Sequence, residues 1–242
     1  MDELASQQPV GRRRLLGVLL GAGAVSLLPA CARGTGRSLP LPGPDWPTIA
    51  RESLPKRRFT AARGKLAAPV GVRGRRQWSS ETTIASRADR MGRVERITVH
   101  HDGMPPVRLT SRAGVRDRIA MIRRSHVGLG WADIGYHFVV DPMGEAWEGR
   151  PLVWQGAHVK NRNPRNIGIM VLGNFEVQSP TPEATAALDE LLVTLMAAHA
   201  VDLRGVKTHR EWAPTACPGR NLQRHMEYTR DRGVVSRARS YA

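Results

Sequence analysis

Two side chains that bind transition metals lie in one short segment near the end of the chain, residues 209–219. His209 offers an imidazole nitrogen and Cys217 a thiolate, and these are the ligands that zinc prefers. Pro214 and Pro218 exclude an uninterrupted helix, so the segment must fold back on itself to bring the two side chains together. One imidazole and one thiolate do not complete a metal site, so another part of the chain must supply at least one more ligand.

The further ligand is expected in residues 97–101, which end in the adjacent pair His100 and His101. The β-branched residues before the pair predict a strand. Successive side chains of a strand point to opposite faces of the sheet, so only one of the two histidines can reach the metal. Two histidines and one cysteine would leave the fourth position of a tetrahedral zinc open, which is typical of a catalytic site.

Charge and composition narrow the class of protein. The chain has 242 residues with 37 Lys and Arg against 21 Asp and Glu, a formal net charge of +16. This excess indicates either an anionic partner or simply an arginine-rich genome. Aromatic residues make up only 5% and are not interleaved with the basic residues, which argues against a nucleic-acid-binding protein. Two distant cysteines argue against a disulfide scaffold.

The first 31 residues have the order of an export signal. The pair Arg12 and Arg13 precedes the apolar run 15–30 and resembles a twin-arginine signal. The run is short for a transmembrane helix, although a non-cleaved anchor is an alternative. Its end resembles a bacterial lipobox in which Cys31 would become the lipidated first residue, but Pro29 is unusual there. Membrane attachment through Cys31 and plain secretion therefore both stay open, and either places the domain in the cell envelope or outside the cell.

The remaining chain is predicted to form one folded domain. Residues 32–74 read as a linker rich in Pro, Gly and Arg, residues 75–233 as the domain and 234–242 as a basic tail. Strands are predicted at residues 94–100, 134–140, 146–148, 166–172 and 206–208. Helices are predicted at 110–124 with Thr110 as N-cap, from Thr181 to Ala200, and at 223–232. The expected fold is α/β, a single mixed sheet flanked by helices.

Four motifs of this domain resemble one known family in their order and spacing. They are Val99–Asp102, Asp133–Phe138, Gly156–Gly168 with its Gly-Ala-His start, and His209–Gly219 with its Thr-Ala-Cys-Pro-Gly end. The chain is identified as a member of the zinc amidases of the phage amidase-lysozyme and peptidoglycan recognition protein family, over roughly residues 75–233. The resemblance implies a zinc-binding cleft at one side of the sheet. It also implies hydrolysis of the amide between N-acetylmuramic acid and L-alanine in peptidoglycan, and we expect a monomer.

The resemblance also assigns roles to individual residues. It implies that His100 rather than His101 binds zinc, together with His209 and Cys217. Because His101 would then face the other way, we expect it to be packed or hydrogen-bonded. No residue stands out as a general base, and Glu148 is more simply an exposed strand residue.

The same resemblance gives Tyr136 and Thr215 the stabilisation of the oxyanion. Phage enzymes carry Lys where this chain has Thr215, whereas catalytically active recognition proteins carry Thr. His158 and Asn163 are predicted to contact the muramyl peptide. Three further histidines are predicted to have only surface or helix-face surroundings: His126, His199 and His225. The alternative function is a peptidoglycan-binding module without activity, and the retained ligands and Tyr136 favour the enzyme.

Overall fold

The structure is a computed structural model that describes residues 59–60, 68–69, 71–106 and 108–237. The predicted export signal, Cys31, most of the linker and residues 238–242 of the tail lie outside the described residues. The described residues belong to one unit that begins at Pro55. Within the described part, no helix combines the length and the apolar character needed to cross a membrane.

A five-stranded mixed sheet forms the centre of the domain, as predicted. Its strands are β1 Arg96–His101, β2 Phe138–Val140, β3 Ala146–Glu148, β4 Asn166–Val171 and β5 Val206–Thr208. Their order across the sheet is β3-β2-β4-β1-β5. Only β3 runs antiparallel, as the hairpin partner of β2, and the other neighbours are parallel. β4 is buried along its whole length, as a nearly all-apolar central strand requires.

Helices cover both faces of this sheet. They are α1 Arg112–Gly128, α2 Pro182–His199, α3 Arg220–Asp231 and the short α4 Val234–Arg237. Ile97 and Val99 of β1 pack in one apolar cluster with α2 and α3. Met170 of β4 packs in a second cluster with α1 on the other face. Because strand side chains alternate, His100 projects to the α1 face, where the functional site is built.

Several boundaries differ from the sequence-based expectation, and three of the differences have a local cause in the structure. Ser111 and not Thr110 caps α1, because its hydroxyl accepts the backbone N–H of Gly114. The strand predicted from Ile134 begins only at Phe138, because the backbone N–H of Ile134 is taken by the Asp133 carboxylate. The last long helix begins at Arg220 instead of 223, directly after Gly219 with φ 84°, a backbone conformation that glycine adopts without strain.

Residues ahead of position 75 also pack on the domain. Phe59 is 3% exposed in the apolar cluster under α2, and its backbone N–H donates to the carboxylate of Glu190. Arg73 pairs with Trp147 of β3 in an isolated parallel bridge. The part of the predicted linker that the structure describes therefore lies along the domain and extends its edge.

Candidate metal centre

Three potential metal ligands converge at the carboxyl ends of two parallel strands. Val99 of β1 stands opposite Thr208 of β5, so the residues that follow, His100 and His209, become neighbours. Their ring centroids are 4.7 Å apart. Cys217 reaches the same point, and the ligand atoms of all three lie within 4.8 Å of one another. The sheet register brings His100 and His209 together, and the loop after β5 adds Cys217, the third residue predicted as a ligand.

The loop after β5 folds back on itself, as its prolines indicated. His209–Glu211 forms a single 3₁₀ turn, which the Glu211 carboxylate closes by accepting the backbone N–H of Thr208. The backbone N–H of Arg210 then donates to the Cys217 carbonyl at 3.0 Å. This contact returns the chain to the strand end and aims the Cys217 side chain at His100.

The two adjacent histidines of β1 have different surroundings. His100 is fully buried, with Nδ1 3.6 Å from the Cys217 sulfur. His101 lies on the opposite face, and its Nδ1 accepts the backbone N–H of Phe175 at 3.2 Å. The His101 backbone N–H donates to the Cys217 sulfur at 3.5 Å. The geometry thus places His100 among the ligand atoms and gives His101 the hydrogen-bonded position expected for it.

Protonation of these groups fits a zinc site. Burial lowers the pKa of His100 well below its usual value, and the neighbouring His158 and His209 lower it further. Burial raises the pKa of the Cys217 thiol to about 12. A neutral imidazole is ready to ligate a metal, whereas a buried thiol ionises only when a cation compensates its charge. Two imidazoles and one thiolate match the donor set that zinc takes with one position open.

His158 is buried, and its ring contacts the His100 ring. Its Nδ1 is 3.0 Å from Nε2 of His100, and its Nε2 is 3.1 Å from the backbone carbonyl of Asn166. Asn163 holds the start of this loop, since its side-chain oxygen accepts the backbone N–H groups of His158 and Val159. The predicted contact of His158 and Asn163 with the muramyl peptide stays untested. The contacts in the structure give both residues internal partners that the motif did not indicate.

A cavity of about 250 Å³ opens beside Tyr136. It is lined in part by Asp102, Met104, Met121, His126, Tyr136 and Met170. The Tyr136 ring centroid is 5.1 Å from that of His100, so Tyr136 both lines the cavity and lies next to a candidate metal ligand. Thr215 lies two positions before Cys217 in the loop after β5. Its hydroxyl accepts a hydrogen bond from the backbone N–H of Cys217 at 3.2 Å. A substrate in this cavity would meet Tyr136 next to the three ligands.

A buried ionic cluster supports the segment that carries Tyr136, and sequence analysis missed it. The Asp133 carboxylate accepts Arg75 and Arg123 and is itself completely buried. Arg150 donates to the backbone carbonyls of Asp133 and Ile134. These bonds fix the backbone just ahead of Tyr136. The residues come from four separate parts of the chain, so no local pattern could have announced them.

The structure corrects the expectation for the remaining histidines. His126 lines the cavity, and its Nδ1 accepts the backbone N–H of Gly135. His225 is buried between α2 and α3 with Nε2 2.9 Å from the Asp189 carboxylate, and His199 is 9% exposed. The prediction that these histidines have only surface or helix-face surroundings is therefore wrong. Tertiary packing covers helix faces whose partners could not be predicted from the sequence. Glu148 accepts the backbone N–H of Arg75, which gives it a structural contact.

Known proteins with a similar sequence or fold are amidases, endolysins and peptidoglycan recognition proteins. Residues 90–220 match the family model described as N-acetylmuramoyl-L-alanine amidase. The endolysin of Enterobacteria phage T3 is 34% identical over 149 residues, covering 58% of this chain and 93% of the endolysin. Drosophila PGRP-LB superposes with a TM-score of 0.59 at 23% identity, covering 67% and 94% of the two chains. The amidase LysC from Clostridium intestinale gives a TM-score of 0.53 at 25% identity, covering 64% and 95%.

Proposed function

The chain belongs to the N-acetylmuramoyl-L-alanine amidase family, and we propose on this premise that it is a zinc hydrolase acting on peptidoglycan. The bond cut is the amide between N-acetylmuramic acid and L-alanine. The observation that carries the proposal is the convergence of His100, His209 and Cys217 within 4.8 Å, next to a cavity lined by Tyr136. A substrate bound in this cavity would contact Tyr136, which lies next to the candidate ligand His100.

Each residue of the site would have its own role in the reaction. His100, His209 and Cys217 would hold zinc, which would supply an activated water and Lewis acidity toward the scissile carbonyl. The Tyr136 O–H would donate a hydrogen bond to the oxyanion that develops on that carbonyl. Thr215, whose hydroxyl oxygen already accepts the Cys217 backbone N–H, can point its hydroxyl hydrogen at the same oxyanion. The Asp133 cluster holds the Tyr136 backbone in place, so its donor does not have to be ordered during the reaction.

Export of the enzyme is part of the proposal. The arginine pair, apolar run and lipobox-like end of the first 31 residues support a site of action in the cell envelope or outside the cell. The substrate chemistry agrees, since peptidoglycan lies outside the cytoplasmic membrane. Lipidation of Cys31 would keep the enzyme at a membrane surface.

A peptidoglycan-binding module without activity is the alternative, because the fold is shared with a recognition protein. The two functions differ in the fate of a bound muropeptide. Incubation of the full chain with a muramyl peptide of defined sequence should yield a free amino terminus on L-alanine and an intact lactyl carboxylate on the sugar. Mass spectrometry identifies both products. A chelator should abolish their formation and added zinc should restore it.

Cys217→Ser provides the matched control, since it removes one ligand and leaves the cavity lining unchanged. It should bind the muramyl peptide without releasing L-alanine peptide. A folded, zinc-loaded wild type that binds the muramyl peptide and leaves it intact would instead establish the binding module.

A further inference from the structure

A chain of hydrogen bonds leads from the metal position into the protein interior. It runs from His100 through the His158 ring to the backbone carbonyl of Asn166, with contacts of 3.0 and 3.1 Å. All three residues are buried. The order of donors and acceptors along this chain can be worked out from its inner end, because a carbonyl oxygen only accepts.

Each contact fixes the position of one proton. Nε2 of His158 must carry a hydrogen to donate to the Asn166 carbonyl, so Nδ1 of a neutral His158 holds a lone pair. The 3.0 Å contact with His100 then requires a hydrogen on Nε2 of His100. A neutral His100 consequently has its lone pair on Nδ1, the nitrogen that faces the Cys217 sulfur. The opposite arrangement would need a doubly protonated, charged His158 in a buried position, which is costly.

We propose that His158 is a positioning residue that fixes the tautomer and the orientation of the metal ligand His100. The contact selects Nδ1 as the ligating nitrogen and holds the ring so that this nitrogen faces His209 and Cys217. A partner on the other ring nitrogen of a ligating histidine typically contributes 10- to 100-fold in metal affinity. This inference rests on the proposed zinc site and extends it to a residue that makes no contact with the metal.

Two glycines leave the space that the His158 ring occupies. A Cβ added at Gly156 would come within 2.5 Å of Cδ2 of His158. A Cβ added at Gly168, on the central strand, would lie 2.6 Å from the same atom. Ordinary carbon contacts are 3.5 to 4.0 Å, so any side chain at either position would displace the His158 ring from the place where it contacts His100. The ring therefore sits in a slot shaped by the absence of two side chains.

The same contacts leave His158 little capacity to bind substrate. Both ring nitrogens are engaged inside the protein, one with His100 and one with Asn166. The residue as a whole is also only 7% exposed. Replacement of His158 should therefore weaken zinc binding and leave muropeptide binding by the metal-free protein unchanged. This separates the positioning role from the substrate contact that the sequence motif implied.

Replacements of graded chemistry test the proposal in the full chain. His158→Phe fills the slot without an acceptor and should lower zinc affinity about 10- to 100-fold. His158→Asn places an oxygen close to where Nδ1 lies and should recover most of that loss. Gly168→Ala, which keeps the histidine but displaces its ring, should behave like His158→Phe. Competition with a chromophoric chelator measures the affinity of each variant.

Two control variants accompany these changes: one replaces another buried histidine, and the other is a second Gly→Ala substitution. His225→Asn alters another buried histidine, bonded to Asp189, outside the metal site, and should keep wild-type zinc affinity. Gly74→Ala adds a methyl group where no atom lies within 4 Å and should also be neutral. A loss of zinc affinity in both controls equal to that of His158→Phe would show that general destabilisation is responsible, and would overturn the proposal.

The tautomer itself can be read by nitrogen NMR of the imidazoles in the metal-free full chain. Wild type should show His100 protonated on Nε2 and bare on Nδ1, and His158→Phe should show a mixture of both forms. A wild-type proton on Nδ1 of His100 would refute the proposal, even if every variant proved unstable. So would a folded His158→Phe with unchanged zinc affinity. Neither result depends on catalysis, so an inactive protein would leave this test intact.

Discussion

The Cys217 sulfur lies 3.6 Å from Nδ1 of His100, although 117 positions separate the two residues in the chain. Parallel pairing of β1 with β5 brings the two strand ends together, and the folded-back loop after β5 supplies the rest of the approach. Neither element alone would create the contact. A metal site of this kind therefore depends on the sheet register as well as on the ligand types.

Zinc content should distinguish the ligands from the other histidine of β1. His100→Ala, His209→Ala and Cys217→Ser should each lose the single zinc, because three protein ligands leave no reserve. His101→Asn is the matched control, since its side-chain oxygen can still accept the Phe175 N–H. It should retain one zinc per chain. Metal analysis of the four purified variants would reverse the assignment if His101→Asn were zinc-free and His100→Ala replete.

Tyr136→Phe should keep its zinc and lose about 10²-fold in kcat, the usual cost of removing one donor to an oxyanion. KM should change little, because contacts with the rest of the muropeptide remain. Tyr228→Phe removes the hydroxyl of a tyrosine that is 61% exposed on α3 and should be neutral. Steady-state kinetics measure both. An unchanged kcat in Tyr136→Phe would return this side chain to a packing role.

Thr215→Ala should lower kcat less than Tyr136→Phe does, because a backbone amide or a water can replace the hydroxyl. It should also lower zinc affinity slightly, since the Cys217 backbone N–H loses its acceptor. Thr215→Ser keeps the hydroxyl and should restore both properties. Kinetics and chelator competition on the two variants separate the effects. Equal losses of kcat in Thr215→Ser and Thr215→Ala would mean that the methyl group of Thr215 is required and the hydroxyl is not.

Stability should depend on pH through Glu145, which binds Arg73 and Arg112 at the edge of the domain. Hydrogen bonds from Arg73 first, and then from Arg112, lower the pKa of Glu145 from 4.5 to about 2. A lowered pKa stabilises the fold fully above pH 4.5, and this contribution disappears as the pH falls toward 2. Glu145→Gln should therefore cost about 1 kcal/mol at neutral pH after solvent screening, and most of this cost should be lost once the pH reaches 2.

Urea unfolding at several pH values measures the effect of Glu145→Gln. Glu95→Gln is the comparison, because Glu95 pairs with Arg165 at the surface and both side chains are largely exposed. It should change the free energy of unfolding much less. A Glu145→Gln penalty that stayed constant from neutral pH to pH 2 would contradict the ionic origin of this contribution.

Export should depend on Arg12 and Arg13. Their joint replacement by Lys should leave the precursor in the cytoplasm, because a receptor that reads the forked guanidinium does not accept a lysine ammonium. Fractionation with an antibody against the domain measures the distribution. Normal export of the double variant would indicate an ordinary secretory signal. Cys31→Ser tests lipidation separately, since it should release the protein from membranes.

The sequence by itself indicated the strands, the helices, and a metal site formed by His209, Cys217 and one of the two adjacent histidines of β1, and the family resemblance then selected His100. Alternation along residues 97–101 showed that only one of His100 and His101 could face the metal, and Pro214 and Pro218 showed that the chain must fold back. These conclusions rest on local rules, namely the two-residue period of a strand and the backbone limits of proline. Such rules act within a few residues and therefore can be read from the chain alone.

Only the tertiary structure decided what surrounds those ligands. The motif presented His158 as a substrate contact, and the fold turned its ring inward between Gly156 and Gly168, onto His100. The helix pattern left His126 without a role, and the packing of α1 placed it in the cavity wall. The orientation of a side chain depends on which distant backbone and side-chain atoms occupy the space around it. That occupancy follows from strand register and helix packing, which no short stretch of sequence contains.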